Sequence, residues 1–301
     1  MVMRVTRVQM DQQFLLQNNI SRGEESQVLE HLSTLKKVNR PSDDADNFNR
    51  IKNTQNELSE SDDFKEVIRD SMQLLGATET ALAGIRDALD KAREVAVGGV
   101  SIANTALERI TIAEQLEQLR LEAIGYLNTK HNGSHIFSGT LTDTLPFTSV
   151  LNDPYMGNDE RTEVRINKTD RVITNWTGSD IAFGPGGLNS TDDFLDALAE
   201  LENAFRSNDV ALVNTHLSRL QPATQRVNAF IAEVGSRSHR MISEEKRYEQ
   251  FEMGLHAVLA ELEDADLAEE AIKLENDRKG IDAQRRAHGT INRQFLFDFL
   301  G

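Results

Sequence analysis

The chain has no cysteine, which excludes a disulfide framework, a thiol nucleophile and any thiolate-bound metal. Proline is scarce too, at 5 of 301 residues, and aromatic side chains make up only 6%. With few helix breakers and abundant Ala, Leu, Glu, Arg and Gln, long uninterrupted helices are expected. No apolar run approaches the roughly 20 residues that a bilayer-spanning helix needs. The opening residues MVMRVTRVQMDQQ hold no contiguous apolar stretch and no small-residue cleavage site, so they do not read as a secretory signal. Positive charge is in deficit: 33 Lys and Arg against 49 Asp and Glu leave a formal charge of −16. That balance argues against nucleic acid as a partner and against membrane insertion. The charge is uneven. Residues 261–277 carry eight acids and one lysine, whereas residues 278–301 carry five basic residues and two acids.

What the chain does have is helical periodicity. Phe64, Ile68, Ser71, Leu75, Thr78, Leu82, Ile85, Leu89, Ala92, Ala96 and Gly99 fall at alternating spacings of four and three. Val213, Leu217, Leu220, Thr224, Val227, Ile231, Val234, Ser238, Met241, Glu245 and Tyr248 do the same. Each is a heptad seam, the pattern of a helix packed lengthwise on another. Two successive spacings of three, Glu245 to Tyr248 to Phe251, locally overwind the second helix and mark a junction. A shorter helix is expected from about Thr105, stopping near Asn132–Gly133 as a C-cap pair. Pro222 must kink its helix or open a new one. Between the seams, residues 140–188 are punctuated by Pro146, Gly157–Asn158 and Gly184-Pro185-Gly186-Gly187, with alternating residues at Thr162–Ile166 and a returning run at Val172–Trp176. This predicts a small β-rich insert of four to six strands, including one hairpin. Its thin core, Phe147, Val164, Ile166, Val172, Ile173, Trp176, Ile181 and Phe183, is expected to lean on the helices.

The pattern predicts a mainly α fold with a small β insert: an elongated antiparallel helical bundle or coiled-coil hairpin, its N- and C-terminal helices paired and the β-rich domain at the far end. The expected segments are 1–42, an N-terminal helix; 43–138, the first half of the helical rod; 139–189, the β-rich domain; 190–252, the second half of the rod; and 253–301, a C-terminal helix. Large apolar groups at the ends of the chain call for burial, because termini otherwise fray. Subunit-interface residues are therefore expected at Val5, Val8, Phe14, Leu15, Leu29 and Leu32 on one side. On the other they are Leu255, Leu259, Leu262, Ile272, Phe295, Phe297, Phe299 and Leu300.

No catalytic motif is present: there is no HExxH, no phosphate-binding loop ending in Gly-Lys-Ser/Thr, and no Gly-x-Ser-x-Gly elbow. His131 and His135 share a metal-ligand spacing, but Asn132–Gly133 between them breaks the helix that would align them. The acid pairs Asp43–Asp44, Asp62–Asp63 and Asp192–Asp193 each precede a helical pattern and read as caps rather than as acid/base pairs. No enzyme activity, cofactor or metal is expected.

Several strings resemble one family. Leu32-Ser33-Thr34-Leu35-Lys36-Lys37-Val38-Asn39-Arg40-Pro41-Ser42-Asp43-Asp44-Ala45 resembles the N-terminal signature of the bacterial flagellin superfamily, in the form of its hook-associated protein 3 (hook–filament junction) branch. Asn128 to Thr140, then Pro146-Phe147, is similar to that branch's helix exit. Tyr155-Met156-Gly157-Asn158-Asp159 resembles the start of its β domain, and Val234-Gly235-Ser236-Arg237 and Phe297-Asp298-Phe299-Leu300 resemble its C-terminal half. Leu35 departs from the pattern, where the family usually has glycine. In the helix-junction motif Asn39, Arg40, Pro41, Ser42, Asp43 and Asp44, Pro41 is expected to stop the first helix and Ser42 or Asp43 to cap the next.

The resemblance implies a non-catalytic structural protein, exported through the flagellar type III apparatus to the extracellular flagellum. Its implied partners are its own copies in a ring, hook-associated protein 1, flagellin, and a cytoplasmic export chaperone. The chaperone is expected on Leu267, Ile272, Leu274, Ile281, Phe295 and Leu296, by a helix-in-groove mode. Filament flagellin is the alternative within the superfamily, and a cytosolic coiled-coil scaffold the alternative outside it.

Overall fold

A computed structural model describes residues 7–100, 105–149 and 154–300, with side chains described for residues 9–290 within those ranges. The fold is mainly helical with two small β-hairpins. The helices are α1 (Arg7–Thr34), α2 (Ala45–Gly99), α3 (Ala106–Leu127), α4 (Gly178–Ala182), α5 (Phe194–Arg206), α6 (Val210–Glu263) and α7 (Leu267–Leu300). The strands are β1 (Lys130–His131), β2 (Ser134–His135), β3 (Glu163–Arg165) and β4 (Arg171–Ile173). The chain divides into two compact units, residues 61–249 and residues 1–60 with 250–301.

In the unit of residues 61–249, both predicted seams face inward. Ile68, Leu75, Leu82, Ile85, Leu89, Ala92 and Ala96 of α2 are buried, as are Val213, Leu220, Val227, Val234 and Met241 of α6. The two helices run antiparallel, since Arg69 pairs with Glu245 at 2.8 Å and Phe64 stacks on Tyr248 at 5.6 Å. Pro222 lies inside α6 without ending it. Thr105 opens α3 with a full capping box to Glu108. Asp193 caps α5 through Leu195 and Asp196 N–H, and Asp209 caps α6 through Ala211 and Leu212 N–H.

Three expectations need correction. Asp62 and Asp63 cap no helix, because they lie in the interior of α2. Asn132–Gly133 does not end α3; Asn128 does. Instead, Asn132 (φ 50) and Gly133 (φ 85) form the two-residue turn of the β1–β2 hairpin, because a hairpin turn matching strand twist needs positive φ at both central residues and Asn-Gly adopts it most readily. The insert is also less β-rich than expected. Among its described residues there is one hairpin, β3–β4, in register Val164↔Val172, followed by α4 and a 3-10 turn at Gly184–Gly186.

The insert does lean on the helices. Ile166, Val172, Trp176, Ile181 and Phe183 belong to the same buried cluster as the α2 and α6 seams. Three α6 arginines donate to backbone carbonyls of the insert and of the loop that follows it. Arg219 donates to Ser190 O at 2.6 Å, Arg226 to Asp192 O at 2.7 Å, and Arg237 to Ile173 O at 2.7 Å. Arg237 also lies 4.4 Å over the Trp176 ring, whose indole N–H donates to Glu233 at 3.1 Å. Carbonyls withdrawn from water must find donors, and the guanidinium forks supply them.

Candidate assembly surface on the terminal helices

The unit formed by residues 1–60 and 250–301 has a small apolar centre at the α1–α2 connection: Val38, Ile51, Leu259 and Leu262, with Phe48 and Leu58 against it. The chain turns there because Leu35 adopts φ 61 at the end of α1, the left-handed step that commonly closes a helix. A short antiparallel bridge, Lys36↔Asp264, then laces this turn to the α6–α7 corner. Lys37 N–H donates to Glu263 O at 2.7 Å, and Ala265 N–H donates to Leu35 O at 3.0 Å. The Lys37 ammonium reaches Glu261 O at 2.6 Å, where a cation meets the negative end of the α6 dipole.

The motif Asn39 to Asp44 builds the entry to α2 differently from expectation. α1 has already ended at Thr34, so Pro41 does not stop it. Pro41 instead occupies the second position of a turn closed by Asp43 N–H to Arg40 O at 3.0 Å, where its fixed φ suits the geometry. Asp44, not Ser42 or Asp43, caps α2, accepting from Asn47 N–H at 2.9 Å. Asp43 turns back and accepts from Asn39 N–H at 3.0 Å and Arg40 N–H at 2.9 Å. Those two backbone donors hold its carboxyl below the ordinary value of 3.8. Arg40 reaches Glu30 at 2.7 Å and ties the turn to α1.

Beyond the turn, α1 and α7 pair antiparallel. Their seam is heptad-spaced but mostly polar. On α1 the positions withdrawn from solvent are Asp11, Phe14, Asn18, Ser21, Glu25, Val28 and Leu32, joined by Met10, Glu30 and His31. On α7 they are Glu270, Leu274, Asp277, Ile281, Gln284 and His288, with Gly289 beside the last. Across the seam His288 is 2.9 Å from Asp11 and stacks on Phe14 at 3.9 Å. Gln284 donates to Ser21 Oγ at 3.4 Å, and Arg278 to Glu25 at 3.0 Å. His31 and Glu270 approach to 3.5 Å without hydrogen-bond geometry. Asn18 Oδ1, Gln284 Oε1, Glu270 Oε2 and both His31 ring nitrogens are buried with no hydrogen-bond partner. Each such atom costs about 1–3 kcal/mol, so this seam is a weak one.

Phe14, Val28, Leu32, Leu274 and Ile281 are apolar members of the seam, but other large apolar side chains of the pair point outward. Leu15 is 57% exposed, Leu16 64% and Ile272 60%, and Ile20, Leu29 and Leu267 are also exposed. Of the expected interface residues, Leu15, Leu29 and Ile272 are thus open, Phe14 and Leu32 line the α1–α7 seam, and Leu255, Leu259 and Leu262 are buried within the unit. Of the expected chaperone contacts, Leu267 is open, Leu274 is half-buried in the seam and Ile281 is buried in it. Val5 lies outside the described residues, as do the side chains of Val8, Phe295, Leu296, Phe297, Phe299 and Leu300. Sequence reading missed Leu16 and Ile20 as exposed apolar residues, and missed the polar seam altogether. Among the described residues no group of three metal-binding side chains exists, and no helix is long and apolar enough to cross a membrane.

Residues 6–142 match the model of the bacterial flagellin N-terminal helical region. No curated protein matches the chain. Among solved structures, the fold is similar to that of a provisionally assigned flagellar hook-associated protein from Vibrio parahaemolyticus (TM-score 0.68, 21% identity, covering 74% of this chain and 100% of that one). It is similar to hook-associated protein 3 from Legionella pneumophila (0.62, 14%, 70% and 98%) and to FlgL from Bacillus cereus (0.58, 20%, 67% and 96%). Residues 6–142 thus resemble the flagellin N-terminal helical region, and the chain shares the fold of these flagellar hook-associated proteins.

Proposed function

We propose that the chain is a structural subunit of the bacterial flagellum at the hook–filament junction, where copies of it form a ring between hook-associated protein 1 and flagellin. The observation that carries this reading is the reversed polarity of the terminal pair. Polar groups hold most positions of the α1–α7 seam, while Leu15, Leu16, Ile20, Leu29, Leu267 and Ile272 face outward. A helix pair built to be complete by itself would do the opposite. The outward residues, with the terminal Phe295, Phe297, Phe299 and Leu300, gain their burial from neighbouring subunits. Before export, the same residues of α7 are the surface for a cytoplasmic chaperone, which would take Ile281 and Leu274 only after α7 parts from α1. Export by the flagellar type III route agrees with the absence of cysteine.

Deletion of residues 270–301 tests the reading. The truncated chain should keep the helical signature and unfolding transition of residues 61–249 yet fail to restore motility to a strain lacking the gene. Motile filaments built with the truncated chain would overturn it. Immunogold labelling of intact flagella should place the protein at the junction, and the deletion strain should keep its hooks and release unpolymerised flagellin. Label along the whole filament would favour the flagellin alternative.

A further inference from the structure

Asn132–Gly133 is the single Asn-Gly pair of the chain; every other asparagine precedes a residue that carries a side chain. Both residues are exposed at the tip of the β1–β2 hairpin, Asn132 at φ 50 and Gly133 at φ 85. Among the described residues the Asn132 side chain takes part in no hydrogen bond, and the Gly133 N–H has no acceptor. A carbon added at Gly133 would meet nothing within 4 Å, so the peptide nitrogen there stands open.

Asparagines nearby are held instead. The Asn128 amide donates to Phe147 O at 2.8 Å, and its oxygen accepts from Phe147 N–H at 3.0 Å. Asn158 accepts from Thr140 N–H at 2.8 Å, Asn175 from Thr162 N–H at 2.7 Å, and Asn167 from Asp170 N–H at 2.7 Å.

The chemistry that an open Asn-Gly pair invites is ring closure, one source of the thermal lability of asparagine. Gly133 N loses its proton to hydroxide and attacks Asn132 Cγ. The N–Cγ bond forms, the Cγ–Nδ2 bond breaks, and ammonia leaves with a proton from water. Water then opens the five-membered imide. Opening at Cγ gives aspartate; opening at the backbone carbonyl carbon gives isoaspartate, in which the chain runs through Cβ and Cγ. A Cβ on the following residue crowds this ring, and glycine has none. No hydrogen bond has to break at either reacting group. Closure must rotate Asn132 out of its left-handed conformation, which strands of two residues each resist little, because so short a hairpin is marginal by itself.

We propose that Asn132 is a site of spontaneous covalent modification, converted to aspartate and isoaspartate in the folded chain ahead of every other asparagine. Isoaspartate lengthens the backbone by one carbon, about 1.5 Å, inside a turn that sets the register of its strands. The pairs Lys130↔His135 and His131↔Ser134 then lose their alignment. The base of the hairpin keeps its own bonds, His135 N–H to Thr142 O at 2.8 Å and Ile136 N–H to Thr129 O at 3.2 Å. The damage is therefore local, and the α2 and α6 seams are untouched. Since the step needs only water and hydroxide, the converted fraction grows with the age of the folded chain.

Incubation of the full-length chain at pH 6 and pH 8.5, with peptide mapping by mass spectrometry, tests the proposal. Residue 132 should convert before any other asparagine, and faster at pH 8.5, because the attacking nitrogen must be deprotonated. An isoaspartate-specific methyltransferase should label the product at that position. Gly133→Ala should slow conversion at least tenfold by crowding the ring, with circular dichroism showing the helices retained. Alanine is strained at φ 85, so the ranking of asparagines in the parent chain, which needs no variant, is the deciding measurement. Another asparagine converting first, or an Asn132 that stays intact, would overturn the site. Equal rates in parent and Gly133→Ala would overturn the ring-closure route. Hydrogen exchange on the separated isoaspartate form should show residues 130–135 less protected and the α2 seam unchanged; unchanged protection of the hairpin would overturn the loss of register.

Discussion

The clearest consequence of a polar seam is that making it apolar should strengthen it. Asn18 and Gln284 are the positions to change. Both are seam residues of the α1–α7 pair, and the side-chain carbonyl oxygen of each is shut off from solvent without a donor. Gln284 keeps one bond, from its amide to Ser21 Oγ at 3.4 Å, which is long for such a contact. Replacing both by leucine removes two unsatisfied oxygens, at about 1–3 kcal/mol each. It also adds apolar contact at seam positions, where a half-buried leucine contributes about 1 kcal/mol. Against this stand the lost Ser21 bond, about 0.5–1.5 kcal/mol, and the ordering of two side chains, about 0.5–1 kcal/mol each. These terms leave a net gain between about 0.5 and 6.5 kcal/mol, and the lower half of that range, about 2–3 kcal/mol, is the working expectation.

Hydrogen exchange on the monomer reads that gain directly. Amides on the seam between residues 14 and 28, and between residues 274 and 288, should become about 30- to 150-fold better protected in Asn18→Leu/Gln284→Leu, since 1.4 kcal/mol is a factor of ten. Amides of the α2 and α6 seams, which belong to the other unit, should not change. If protection of the terminal helices stays the same or falls, the unpaired oxygens are not what weakens the pair. The same measurement on the unmodified chain bears on the assembly reading: terminal helices already as protected as the α2 seam would mean that nothing is left for neighbours to complete.

Other consequences are equally specific. At Leu35, with φ 61, the side chain suffers the left-handed penalty of about 1–2 kcal/mol that glycine escapes. Leu35→Gly should therefore be more stable than Leu35→Val by about that amount in urea unfolding, and the reverse order would contradict the assigned backbone. Asp43 has its carboxyl lowered below 3.8 by two backbone donors, so its stabilisation is complete above that value and is lost as pH falls through the depressed one. Asp43→Asn should cost stability at pH 7 and converge with the parent as pH drops well below 3.8. A gap that persists at pH 2 would show that the charge plays no part.

How much of this was legible in the sequence depends on what kind of signal each element leaves. The α2 and α6 seams are apolar at nearly every buried position, so hydrophobic spacing found them residue by residue. Thr105 was visible as a helix start and Asp193 as a cap, because short polar side chains before a periodic run satisfy the first free N–H groups of a helix. Asn132–Gly133 was read as a helix end because the same two residues suit a C-cap and a hairpin turn. Only the pairing of Lys130 with His135, which begins two residues beyond Asn128, decides between them. The motif around Pro41 misled for a related reason. A proline after a helical pattern suggests the stop, but the stop is Leu35, whose left-handed backbone no propensity argument assigns to leucine. The three α6 arginines that hold the insert gave no signal in the sequence, because a guanidinium aimed at backbone carbonyls leaves no periodic trace.

The α1–α7 seam escaped for the most instructive reason. Its residues keep a strict three-and-four spacing, but at Asp11, Asn18, Ser21 and Glu25 on one helix and Glu270, Asp277, Gln284 and His288 on the other the occupants are polar. A search for apolar periodicity follows Leu15, Leu29 and Ile272 instead, the very residues that the paired helices leave uncovered. The two failures have one cause, which favours assembly. In a self-sufficient pair the apolar stripe and the contact stripe coincide, whereas here they diverge by part of a turn around each helix. Apolar surface displaced from the intrachain seam costs nothing in packing if another chain covers it, and the polar seam then limits how firmly the pair closes before that chain arrives. On the proposed reading the divergence marks a helix pair whose complete state includes its neighbours: a heptad seam polar at most of its positions, with exposed apolar residues outside it.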